Sequence, residues 1–376
     1  MIMYNKHELE EKIERVIHML AEESLGGVLV SSQHNFAWLT GGGSNGIDLS
    51  REPGAGALLI RNDGRRYIIA NNIEMPRLLS EEVSGQGYEP IELSWEEERA
   101  NSSLIAERAQ SVLTNSATLG SDLPISGVAR VIEGLLARTR YKLTDAEVER
   151  YRALGADVGE VLGEVARSLE PGLSETEIAR KAHTALAACG ARPVVTLVAA
   201  DERLANFRHP VPTKRKWEKV VMVAVCARRG GLIVSLTRLV CAGPVLDDLR
   251  RRTEATARVN AQLFAATVPG TRGRELYEVA ARAYRDVGFA GEQHLHHQGG
   301  ACGYRTRDWV AHPQSEEAVQ PVQAFAWNPS ITGTKIEETC IATADDIEVI
   351  TATPDWPQIA VQVAGREYLL PDVLPL

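Results

Sequence analysis

The chain has 376 residues, 44% apolar and 24% charged, a balance ordinary for a globular protein. Its net charge is −9, from 41 basic and 50 acidic side chains, with no basic stripe, which argues against nucleic acid as the main partner. No apolar run is long enough to cross a bilayer, and the charged opening Asn5-Lys6-His7-Glu8 holds no signal-like apolar core, so a cytoplasmic protein is expected. The length exceeds one ordinary core and implies two domains. Five cysteines (Cys189, Cys226, Cys241, Cys302 and Cys340) form no C-x-x-C pair and are odd in number, which speaks against a disulfide framework or a zinc knuckle.

Taken in order, residues 7–23 read as an amphipathic helix, with Ile13, Val16, Ile17, Leu20 and Ala21 on one stripe. Gly26–Ser32 reads as a buried strand. Residues 55–61 and 66–71 read as a hairpin around Asn62-Asp63-Gly64. A helix near 75–82, a strand near 89–93, a helix over 95–112 and a strand near 117–121 complete a small α/β domain, residues 1–140, with its boundary near 138–143. Residues 141–376 form the second domain. Thr144-Asp145-Ala146-Glu147 and Ser174-Glu175-Thr176-Glu177 are capping-box patterns that start two helices. Pro171-Gly172 separates this pair, and Pro269-Gly270 separates another 98 positions on. Strands follow each pair, so two α+β halves related by an internal duplication are expected, with a ligand cleft between them.

Two later stretches carry polar chemistry. Residues 219–227 and 231–240 read as a hairpin; with Arg229-Gly230 as its two-residue turn, Ala224 falls opposite Ser235. Between His294 and Thr339 the chain sets His294-Leu295-His296-His297-Gln298-Gly299-Gly300-Ala301-Cys302-Gly303-Tyr304 ahead of Trp327-Asn328-Pro329 and Lys335-Ile336-Glu337-Glu338-Thr339. Histidines, a carboxylate and aromatics around glycines suit the wall of a small-molecule site.

From about Lys142 to Pro357, and more loosely upstream, these motifs resemble the creatinase / methionine aminopeptidase / prolidase family, whose fold is called pita-bread. The resemblance rests on Gly231-Leu232-Ile233-Val234-Ser235-Leu236-Thr237-Arg238, on His296–Gly303, on Phe325-Ala326-Trp327-Asn328-Pro329 and on Lys335–Thr339. It implies an α+β fold, a small N-terminal α/β domain before a pita-bread domain with internal pseudo-twofold, in a homodimer. Peptidases of that family hold two metal ions with two aspartates, a histidine and two glutamates. By motif these fall on Ala224, Ser235, Gly300, Asn328 and Glu337. Only Glu337 keeps a suitable side chain, so no dinuclear centre and no cofactor is expected. A replacement site from His294, His296 and His312 lacks a carboxylate of suitable spacing.

The same resemblance makes His209, in Phe207-Arg208-His209-Pro210, the proton-transferring residue, as in metal-free creatinase. It makes His296 a substrate contact, which with Glu337 completes the candidate catalytic set. If residues 294–297 are extended, His294 and His296 share one face and His297 takes the other. Glu337 would hold a cationic group or relay a proton, or else sit in a buried ion pair with Lys335 or Arg238. Asn328 and Ser235 would orient a polar substrate, Arg307 and Arg51 would anchor a carboxylate, and Tyr304, Trp309 and Trp327 would wall the pocket or fill the core. Cys302 reads better as a small packed residue than as a nucleophile. The expected function is metal-independent acid/base cleavage of a C–N or similar bond in a small carboxylate- or amidine-bearing substrate. The alternatives are an inactive homologue serving as a ligand- or protein-binding module, and an Xaa-Pro peptidase.

Overall fold

Leu9, Ile13, Val16 and Leu20, spaced for one helical face, are all buried on the helix Lys6–Glu22. In the computed structural model, which describes residues 5–113, 117–128, 130–344 and 346–376, this helix belongs to the first of two units, residues up to 147 with 230–232. Its sheet has six strands, built outward from the fully buried Gly27–Ser32. That strand pairs antiparallel with Pro53–Arg61 and parallel with Leu119–Ser121. The helix expected over 95–112 is broken into Trp95–Ala100 and Leu104–Ser111. Asn101 interrupts it, its side chain accepting from the Ser103 N–H, which is the local competition that makes Asn a poor mid-helix residue. Among the described residues no helix is long and apolar enough to cross a membrane.

The second unit comprises residues 148–229 and 233–376, so the division falls a few residues beyond the expected 138–143. Its first half sets the helices Asp145–Arg167 and Glu175–Ala188 before the strands Arg192–Ala200, Val220–Arg229 and Leu232–Cys241. Its second half sets Asp247–Ala266 and Gly273–Asp286 before Gly299–Cys302, Gln323–Trp327 and Glu338–Ala342. The halves repeat hydrogen bond by hydrogen bond. Gly172 N–H donates to the Trp217 carbonyl and Gly270 N–H to that of Val319; Trp217 N–H returns to Leu173 and Val319 N–H to Thr271. Glu175 N–H meets Arg215 as Gly273 N–H meets Glu317.

The hairpin turns at Gly230-Gly231 rather than at Arg229-Gly230. Both glycines have positive φ, 54° and 82°, the demand of the two-residue turn that matches strand twist. The register therefore moves by two, and Ser235 Oγ meets Cys226 Sγ at 3.2 Å. A slip of two preserves the face, so Ala224 and Ser235 remain on one side as diagonal rather than direct neighbours.

One packing feature was not foreseen. Gly155, Gly159 and Gly163 line one side of the long helix. A Cβ at the first would lie 2.2 Å from the Ile350 carbonyl oxygen, at the second 2.7 Å from that of Ala352, and at the third 2.3 Å from Thr353 Cγ2. Residues 350–353 thus run against bare helix backbone.

Candidate functional site

The site grows from the second-half sheet. Trp327 pairs with Glu338, and Asn328, one step on, donates its N–H to the Gln298 carbonyl. An isolated antiparallel bridge joins Thr237 of the first-half hairpin to Glu337. Glu337 is 4% exposed and fully engaged. Lys335 Nζ lies 2.8 Å from Oε2, Arg307 Nη2 3.2 Å from Oε1, and Thr237 Oγ1 donates to Oε2 at 2.8 Å. Burial alone would raise the Glu337 pKa, but Lys335 and then Arg307 hold it down at about 2. Buried Lys335 and half-buried Arg307 face this one carboxylate, so the three groups together carry one net positive charge.

Beside it stand three imidazoles. His209 Nε2 and His296 Nε2 are 3.1 Å apart, with ring centroids 4.9 Å apart at 65°. The His296 and His297 rings stack at 4.4 Å. Burial, then Lys335, lowers the His209 pKa. The same causes take His296 to about 2; desolvation of the ring, then Arg307 and Lys335, take His297 to about 4, although the residue as a whole is exposed. For all three rings the surroundings favour the neutral form. His209 is brought there by its neighbour: Arg208 is clamped by Glu292 at 2.6 Å, Thr332 at 2.8 Å and Ser330 at 3.2 Å, all from the second half.

The structure corrects some of these expectations and agrees with others. Residues 294–297 are not extended: His294 ends a single 3-10 turn, Glu292–His294, so alternation fails and His297 joins His296 on one side. His294 and His312 stand apart, His294 Nδ1 near Tyr277 Oη at 3.4 Å and His312 Nδ1 accepting from the Gln314 N–H. Glu337 has no free oxygen for a cationic ligand, because Lys335 occupies that place; Arg238 pairs instead with Glu338 at 2.7 Å. Trp327 is a core residue, fully buried and stacked on Phe325 at 5.7 Å, with Trp309 edge-on to the same ring at 5.6 Å. Tyr304 is likewise buried. Ser235 faces Cys226. Arg51 belongs to the N-terminal unit, exposed in a turn whose backbone carbonyl accepts from Gln33. Cys302 is a buried, packed residue, as expected, and burial pushes its thiol up to about 12, which disfavours the thiolate.

Three buried polar atoms of the site have no hydrogen-bond partner: His296 Nδ1, Asn328 Oδ1 and Arg307 Nε. A folded protein rarely leaves such atoms unpaired without a ligand or water for them. The sequence pattern misses His297 as a site residue, and offers the Lys335–Glu337 ion pair only as an alternative to a substrate-binding Glu337. The signal for Lys335 was its i, i+2 spacing from Glu337, which puts both side chains on one face of an extended segment.

The residues present do not fit a two-metal centre. Ala224 offers no ligand atom, and Ser235 and Asn328 offer only neutral oxygens. A Cβ at Gly300 would sit 2.2 Å from the Trp309 carbonyl oxygen, so no histidine can be placed there without moving that loop. The retained Glu337 is already neutralised by side-chain cations.

Comparison with known proteins agrees with this architecture. Residues 149–350 match the model of metallopeptidase family M24, and residues 12–154 match that of the creatinase/prolidase N-terminal domain. The fold is similar to an Xaa-Pro dipeptidase from Bacillus anthracis (19% identity, TM-score 0.76, 98% of this chain and 100% of that one). It is also similar to a prolidase from Pyrococcus horikoshii OT3 (17%, 0.76, 91% and 98%). A third likeness is to the N-terminal domain of the FACT complex subunit SPT16 from chickpea, Cicer arietinum (11%, 0.72, 93% and 97%). No curated protein matches.

Proposed function

The chain belongs to metallopeptidase family M24, and we propose that it works without that family's metal pair, as a hydrolase of C–N bonds in small carboxylate-bearing molecules. The observation that carries this is the contact between two neutral imidazoles, His209 and His296, at 3.1 Å, beside a buried charge cluster that is net positive. A net positive, largely desolvated surface selects an anion, and an arginine with an unused Nε suits a carboxylate. Asn328 Oδ1, buried and unpaired, accepts from a substrate N–H. His209, the imidazole of the pair that reaches the surface, takes a proton from the attacking water and returns one to the departing nitrogen. A C–O bond forms, the C–N bond breaks, and the histidines end as they began. Glu337 holds Lys335 and Arg307 in place and does not itself meet the substrate.

The test is turnover by protein dialysed against EDTA, on a panel of small amide, amidine and guanidino carboxylates. Turnover that persists in chelator is expected. The likeness to an Xaa-Pro dipeptidase and a prolidase makes Xaa-Pro dipeptides the first compounds to include. Release of proline only after manganese, cobalt or zinc is supplied would replace this reading with metal-dependent peptidase activity. The homodimer expected from the resemblance stays part of the proposal. A clean monomer by light scattering removes it, and with it any role for Arg51.

A further inference from the structure

We propose that His209, His296 and His297 form a site for one divalent ion of the later transition series (zinc, nickel or copper), and that this ion switches the centre off. The ligand atoms of the three rings all lie within 4.8 Å of one another, and the His209–His296 edge is 3.1 Å. Zinc–imidazole bonds of about 2.0–2.1 Å place tetrahedral ligand nitrogens roughly 3.4 Å apart. One edge of the triangle is therefore already formed, and the others close by about 1.4 Å at most, relative to that ideal. His297 is exposed, so its side chain has room to turn. Neutral imidazoles without a carboxylate disfavour magnesium, calcium and manganese and suit zinc, nickel and copper. Three protein ligands leave a further position for water or an anion.

This site shares no residue with the five positions that match the family's metal ligands. It is also not built for permanent occupancy. Lys335 and Arg307 outweigh Glu337 nearby, and an ion on His296 Nε2 leaves that ring's proton on the buried Nδ1, which has no partner. Both features weaken binding, and the excess positive charge favours an anion as the fourth ligand, so the ion is held reversibly and a chelator can remove it. While bound, it occupies the nitrogen lone pairs that His209 and His296 need to pass a proton. The switching-off clause rests on the proton-transfer reading above; the binding clause does not.

The experiment uses tag-free, metal-stripped protein titrated with cobalt(II) and followed by visible absorption, with fold checked by circular dichroism. One equivalent is expected to bind, with the absorption of a nitrogen-ligated ion, and affinity should fall at least tenfold in His209→Gln and in His297→Gln. No binding by the wild type, or unchanged affinity in a folded His297→Gln, overturns the site. Zinc added during turnover is expected to inhibit, and EDTA to restore the rate. If cobalt binds as predicted but zinc leaves turnover unchanged or raises it, the site stands, while the switching-off clause and the histidine proton-transfer reading both fall.

Discussion

In the first half of the C-terminal unit, Gly172 bonds to Trp217; in the second, Gly270 makes the same bond to Val319. Beyond that shared frame the halves diverge. The first-half hairpin offers the site Ala224, Cys226 and Ser235, with Thr237 bonded to Glu337 through both backbone and side chain. The second half supplies His296, His297, Arg307, Asn328, Lys335 and Glu337. His209 is the imidazole that the first half supplies, and even it is anchored through Arg208 to Glu292 of the second. Backbone hydrogen bonds tolerate almost any side chain, so duplicated architecture survives long after duplicated chemistry has gone. The asymmetry extends to the charges beside Glu337, since the ammonium of Lys335 and the guanidinium of Arg307 both come from the second half.

That contrast can be broken at chosen points. Removing the imidazole that the first half supplies should cost most. His209→Gln is expected to lower kcat on a substrate found by the panel by about 10²–10⁴-fold, with an unchanged melting curve. Forcing the family's lost histidine back comes next. Gly300→His drives a side chain into the Trp309 carbonyl and should cost about 3 kcal/mol, or roughly 6–12 °C in Tm, without raising metal content measured by elemental analysis. Lys335→Met leaves Glu337 buried with Arg307 alone and should destabilise by up to about 3 kcal/mol in urea titration. The double variant with Glu337→Met should recover part of that loss.

Acid sharpens the same point. Because the folded pKa of Glu337 is depressed to about 2, its ionised form stabilises the fold above the unfolded pKa of about 4.3, and that contribution fades as pH falls toward 2. Urea midpoints between pH 5 and pH 2.5 should therefore fall less steeply in Glu337→Gln than in the wild type. The smallest effect belongs to the first-half hairpin: Ser235→Ala removes one weak contact to sulfur and should shift stability by under about 1 kcal/mol.

Much of the fold was legible because its signals are local. The capping boxes and the two Pro-Gly breaks each sit within a few residues. The partner segments of the duplication, 213–217 and 315–319, share no residue pattern, since only their backbones do the bonding, and so they were invisible. The hairpin register was misjudged where two adjacent glycines offered two possible turns. His297 was placed on the wrong face because a single 3-10 turn cancelled the alternation assumed for 294–297. The ion pair at Glu337 was readable as an alternative, but its second cation, Arg307, lies 30 residues away and is brought near only by the fold.

The bare side of the long helix has a further consequence. Gly155, Gly159 and Gly163 belong to the first half, yet the backbone they admit at Ile350–Thr353 follows the second-half sheet. Arg238, from the first-half hairpin, bonds Thr351 and Thr353 there. Each half thus closes over a piece of the other, as two clasped hands do. Neither can be cut out as an independent folding module, and the unit should come apart in a single step, with the histidines, lysine and arginine of the site released together.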